Sequence, residues 1–155
     1  MKAYSGYPSD CVYPSIGYVK VKGLVVWRGS WCGQYGPRRG VSTLLIDPFN
    51  CTVQESHQFD THGSADDATQ LSNYLQLLKH GGIVVGVTGD EPCHRLDNAL
   101  PTLQELRVEV GDVQYRASFG FIAQKGFPRK TVFRKAVTWE ESSKNPASFK
   151  VTITG

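Results

Sequence analysis

The sequence predicts an α+β fold, mostly β: a two-sheet antiparallel sandwich with about two flanking helices. Three observations lead there. Short β-rich runs recur along most of the chain, and only residues 64–80 carry a strong helical period. Strand–helix–strand succession occurs once, which disfavours a doubly wound parallel sheet. The 155 residues suit one domain, 1–155, with residues 1–15 as an irregular lead-in rich in Pro, Gly, Ser and Tyr.

The elements follow in order. IGYVKVKGLVVWRG holds two β-rich runs around Lys22-Gly23, a hairpin signal. Ser30 to Pro37 is a Gly- and aromatic-rich loop of the kind that lies on a surface. Val41 to Ile46 reads as a buried strand, and Asp47-Pro48-Phe49-Asn50 is turn chemistry. Cys51 to Phe59 then alternates, with Val53 and Phe59 on one face and Gln54, Ser56 and Gln58 on the other. Asp60 shapes the strand exit.

Ser64 can cap a helix whose first turn carries Asp66 and Asp67, the charge its positive end favours. Ala68, Leu71, Tyr74, Leu75 and Leu78 form its apolar stripe, Lys79 and His80 suit its end, and Gly81-Gly82 stops it. Ile83 to Thr88 lacks polar alternation, as a strand buried on both faces should. A second helical pattern covers about Leu96 to Leu106, with Pro101 tolerable only near its start or at a kink. Val113 to Ala123 reads as a strand with Tyr115, Ala117, Phe119 and Phe121 on one face and Arg116, Ser118 and Gly120 on the other. Thr131 to Trp139 and Phe149 to Thr154 supply the last strands.

Composition narrows the function. A net charge of +3 from scattered basic residues gives no phosphate track, so nucleic acid is not an expected partner. No apolar run approaches the ~20 residues that span a bilayer, so membrane insertion is not expected. No signal peptide follows Met1, so a secreted protein would be represented here by its mature or recombinant form. Four widely spaced cysteines, Cys11, Cys32, Cys51 and Cys93, allow two disulfides in three connectivities and lean towards an oxidising compartment; four buried thiols are the alternative. Their spacing lacks the close ligand pairs of structural zinc sites. Asn50-Cys51-Thr52 is formally a glycosylation sequon, although a cysteine in its middle, especially one in a disulfide, argues against its use.

Catalytic motifs are weak. Ser64, Ser72 and Ser118 lack a nucleophile elbow, and the adjacency of Cys93 and His94 does not bring their side chains together. Asp60, Asp90, Glu91 and His94 could be assembled into a metal site only without any calcium-loop spacing to support it, so no metal or cofactor is expected. One combination stands out. Arg39 opens a strand, Asp90 follows a buried one and Arg116 lies on the polar face of another, near the aromatics Trp31, Tyr35 and Tyr115. Planar hydrogen-bonding groups beside an aromatic wall suit a sugar, with hydroxyls to bond and a C–H face to stack.

The succession RRGVSTLLIDPFNCTVQESHQFDTH, a helix, GGIVVGVTGDE, and YRASFGFIAQKG resembles the interleukin-like EMT inducer (ILEI) domain, also called the GG domain, over about Leu24 to Trp139. Cys51 replaces that family's turn glycine, Tyr115 its usual tryptophan and Ala117 the following aspartate. The resemblance implies an extracellular or lumenal sandwich. Members include secreted cytokine-like proteins, modules of cell-surface hyaluronan-degrading proteins, and the stem domain of protein O-mannose N-acetylglucosaminyltransferase. That stem domain binds carbohydrate without catalysis through an arginine, an aspartate and a second arginine, which by motif fall on Arg39, Asp90 and Arg116. The expected function is thus non-catalytic, lectin-like binding of glycans, N-acetylhexosamine-containing ones included. Arg39, Asp90 and Arg116 would anchor the sugar, Tyr115 would stack on it, and homo-oligomers would add avidity. A secreted cytokine-like ligand is the alternative.

Overall fold

The computed structural model describes residues 2–4, 17–21, 24–29, 39–89, 91–111, 113–127, 132–138 and 148–150. The molecule is mostly β. Its centre is a five-stranded antiparallel sheet built from β4 (Gly40–Ile46), β5 (Val53–Phe59), β6 (Ile83–Gly89), β7 (Ser118–Gln124) and β8 (Phe133–Val137). They lie in the order β5-β4-β6-β7-β8. Every residue of β6 is buried, as its unbroken apolar run requires. Four shorter strands, β1 (Lys2–Tyr4), β2 (Gly17–Val21), β3 (Leu24–Gly29) and β9 (Ser148–Lys150), pair antiparallel in the order β3-β2-β1-β9. The expected hairpin is the β2–β3 pair. Lys2–Tyr4, expected within an irregular lead-in, is instead a strand held between β2 and β9.

One face of the large sheet is covered by α1 (Ala65–Gln76), a 3-10 turn (Leu96–Ala99) and α2 (Leu100–Glu105). Val41, Val84, Phe119 and Phe121 pack there against Ala68, Leu71, Leu75, Leu96 and Leu103. Leu44, Ile46, Ile83, Val85, Val87 and Ile122 form a second buried cluster from the alternate positions of the same strands. Ser64 caps α1 as expected, its Oγ accepting the Asp67 N–H at 3.1 Å. The helix ends at Gln76 rather than at the glycine pair. Leu78 is buried beyond the helix, so the chain turns to deliver that side chain to the core before Gly81-Gly82 leads into β6. Pro101 sits in the first turn of α2, where its missing N–H leaves no gap in the helix. A buried hydrogen bond of 2.6 Å between the Ser72 and Thr102 hydroxyls ties α1 to α2.

Two strand expectations are corrected. Val53 and Phe59 do not share a face, because the β4–β5 register slips: Leu45 pairs with Glu55 but Ile46 with Val53. This bulge turns Val53 towards the second cluster while Phe59 joins the helix-side core. The strand expected from Val113 starts only at Ser118. Arg116 adopts a left-handed backbone, φ +57°, which breaks the extended run before β7.

Gly86 shows what close packing demands. It lies opposite Phe121 across the β6–β7 ladder, and the ring occupies the space a β-carbon would need.

Candidate functional site

The antiparallel order brings the start of β4, the end of β5, the end of β6 and the start of β7 to one pole of the sheet. Gly40 pairs with Gly89, Val41 with Phe59, and Val87 with Gly120. Arg39 and Arg116 therefore flank the end of β6. Neighbouring strands are about 4.8 Å apart, so strand ends two steps apart sit on the order of 10 Å from each other, within the span of one sugar unit and its neighbour. Asp90 lies outside the described residues, as do Trp31 and Tyr35.

Arg39 is built in by its surroundings. Gly40, at φ +85°, turns the chain into β4, and a side chain there would strike the Phe59 carbonyl. The Arg39 guanidinium bonds the Asp60 carboxylate at 2.6 Å. Asp60 shapes the strand exit, as expected: its other oxygen accepts the Gly63 N–H at 2.9 Å, and its own N–H donates to the Asp67 carboxylate at 2.7 Å. Arg39 and Asp60 are about one-third exposed, so the pair presents a positioned guanidinium edge to solvent. Such half-exposed pairs contribute about 1 kcal/mol or less to stability.

Tyr115 is 63% exposed, and the Arg116 guanidinium carbon lies 5.4 Å from its ring centroid. That is cation–π range, and it leaves an aromatic surface open beside a cation. Both residues belong to the turn before β7, not to a strand face.

Motif reasoning missed the strongest electrostatic feature of this pole. Glu91, 1% exposed, accepts hydrogen bonds from His62 Nδ1 at 3.0 Å, the Cys93 N–H at 2.9 Å and the His94 N–H at 2.8 Å. Thr61 Oγ1 donates to the Pro92 carbonyl at 2.6 Å, and the Arg95 N–H to the Thr61 carbonyl at 2.8 Å. These bonds clamp the chain after β6 onto the chain after β5. The available signal was an acidic residue before a proline, directly after a buried strand, where acceptors for loop N–H groups are needed.

The same bonds engage several of the groups weighed above for catalysis or metal binding. Asp60 and Glu91 are engaged with neighbours rather than held open for a cation. Burial, with the Glu91 carboxylate beside it, pushes the Cys93 thiol up to about 12, so it is not a thiolate nucleophile at neutral pH. Ser64 and Ser72 serve the helix cap and the helix–helix bond. Cys51 and Cys93 are free thiols, so neither takes part in the expected disulfide framework; Cys11 and Cys32 lie outside the described residues.

Acid should loosen this pole. Burial raises the Glu91 carboxyl, but the bonds from His62, Cys93 and His94 outweigh it and hold it below its ordinary 4.5. Burial likewise raises Asp60, and Arg39 with the Gly63 and His62 N–H groups holds it below 3.8. Carboxyls depressed on folding stabilise fully above their unfolded values and lose that contribution as pH falls through the folded ones. The urea midpoint is expected to stay level from neutral pH to about pH 5 and to fall below pH ~4.5, less steeply in Glu91→Gln. A midpoint that is flat through pH ~3 would show that these bonds contribute little.

The fold and site define a β-sheet module that carries a polar rim, with paired charges and an exposed aromatic, at one pole. The chain belongs to the interleukin-like EMT inducer (ILEI) family, whose model matches residues 39–127. It is similar to a protein named "Cell surface hyaluronidase" in Danio rerio, 30% identical over 93 residues, 57% of this chain and 7% of that protein. It is also similar to "Cell migration-inducing and hyaluronan-binding protein" in Homo sapiens, 29% identical over 99 residues, 61% of this chain and 7% of that protein. The Mus musculus protein of the same name is 30% identical over 99 residues. The matched stretch thus spans about 7% of the length of these relatives. The expectation of a protein without enzymatic activity does not stand, since a relative sharing this domain is named for an enzyme.

Proposed function

We propose that this chain binds acidic, N-acetylhexosamine-containing glycans of the hyaluronan type at the Arg39–Arg116 pole. One observation carries the proposal: a positioned arginine and an arginine lying over an exposed tyrosine flank the end of β6 at one pole of the sheet, within the family match. Hyaluronan alternates a carboxylate-bearing sugar with an N-acetylated one. Arginine forks suit its carboxylates, Asp90 would accept from its hydroxyls, and Tyr115 offers a ring for a C–H face. The names of the relatives support this choice of glycan and an extracellular or cell-surface location. Among the described residues no helix is long and apolar enough to cross a membrane.

The sandwich belongs to the same reading. The apolar cluster around Leu44, Val85 and Ile122 is buried on the face away from the helices, and the four-stranded sheet is the element available to cover it. Homo-oligomers would multiply weak sites along a repetitive polymer.

Hyaluronan oligosaccharides and neutral glycans, titrated by calorimetry, test the reading. Binding is expected to be salt-sensitive and to weaken roughly tenfold or more in Arg116→Ala and in Tyr115→Ala, with melting temperature kept. Arg39→Ala should weaken it as well. Equal binding by these variants, or no binding at millimolar glycan, would sink the proposal. The second reading, favoured by the name of the Danio rerio relative, is that the chain serves hyaluronan cleavage. Shortening of the polymer by the purified chain on size-exclusion chromatography would establish it.

A further inference from the structure

We propose that Asn50 is a site of N-linked glycosylation, with Phe49 as the platform for the attached N-acetylglucosamine. The proposal rests on the extracellular or lumenal placement above and concerns the opposite pole of the sheet, where β4 turns into β5.

The turn has the features such a site requires. Asn50 and Thr52 are exposed, whereas Cys51 between them is half-buried against the second core cluster. Cys51 adopts a left-handed turn conformation, φ +60°, and its thiol is free. The disulfide that would have competed with modification is therefore not formed at this residue. Asn50 Oδ1 accepts both the Thr52 N–H at 2.9 Å and the Thr52 hydroxyl at 2.6 Å. Those two bonds fix the amide with Oδ1 turned towards Thr52 and Nδ2 on its other edge, where it makes no hydrogen bond among the described residues. Spanning two residues, they need no distant part of the fold. The turn is further held by the Asp47 carboxylate, which accepts the Phe49 N–H at 2.8 Å.

Phe49 supplies an independent indication. It is 94% exposed, an aromatic ring in water beside the acceptor asparagine. At that exposure Phe49 gains little from packing within the chain, although it lines a surface groove with Leu77, and the C–H face of a sugar joined to the next residue would cover it.

The co-reactant is a lipid diphosphate-linked oligosaccharide with its transferase. Asn50 Nδ2 forms a bond to C1 of the reducing-end N-acetylglucosamine. The C1–O bond breaks, the lipid diphosphate leaves with the electron pair, and Nδ2 gives up one proton.

The full chain, expressed behind an added secretion signal in eukaryotic cells, tests this by intact-mass and peptide analysis with and without an amidase that releases N-glycans. The expected result is a glycan on Asn50, released with conversion of Asn50 to Asp, and absent in Asn50→Gln and Thr52→Ala. Glycan removal should lower the melting temperature of wild type but not of Phe49→Ala. An unmodified Asn50 in chain recovered from the secretory pathway would overturn the site, and an equal thermal shift in Phe49→Ala would overturn the platform. Asn50→Gln should leave hyaluronan binding unchanged, so failure here and failure of the glycan-binding pole are read separately.

Discussion

Replacing Glu91 by alanine is expected to destabilise the protein by about 3 kcal/mol, among the largest effects of any polar substitution in it. The carboxylate accepts from one side chain and two backbone N–H groups at an almost fully buried position. Alanine strands those donors, and each unsatisfied buried group costs roughly 1–3 kcal/mol. Glutamine keeps an acceptor oxygen and should lose about half as much. Urea unfolding of both variants measures this directly. The loop clamped by Glu91 also borders the arginine pole, so Glu91→Ala should weaken glycan binding although Glu91 faces away from solvent. A loss within about 0.5 kcal/mol of zero would mean that water replaces the carboxylate, and the clamp would lose its assigned importance.

Gly86→Ala is the second large effect. A β-carbon at Gly86 would lie well inside 3.0 Å of the Phe121 ring, which is itself 1% exposed and ringed by core side chains. Overpacking of this kind costs roughly 1–3 kcal/mol, and the ring has little room to shift. Phe121→Leu alone should also destabilise, by leaving space over Gly86. The double variant should be less damaged than the sum of the two, because leucine vacates part of the space that alanine fills. Strict additivity would show that Gly86 and Phe121 do not compete for one volume.

The scaffold was legible wherever a local rule was strong. The cap at Ser64, the Ala68, Leu71 and Leu75 stripe of α1 and the buried run of β6 follow from short-range periodicity and hold, whereas Leu78, expected on the same stripe, lies beyond the helix end. Expectations failed where the backbone left its simple period. The bulge opposite Leu45 and Ile46 changes the face of Val53, and the left-handed residue at Arg116 moves Tyr115 and Arg116 from strand to turn. A period-2 pattern reads identically with or without such a break, so alternation alone could not locate either.

The candidate site divides along the same line. By itself the sequence determined the residue types and the family; it also put Arg39 at the start of a strand, which holds, and Arg116 on a strand face, which does not. Tertiary structure decided what those residues touch. It paired Arg39 with Asp60, laid Arg116 beside an exposed Tyr115, and buried Glu91 under three donors gathered from positions 62, 93 and 94. The physical reason is distance along the chain. Helix stripes and turns are set by neighbours a few residues away, whereas the partner of a carboxylate is whichever donor the strand order brings to its end of the sheet.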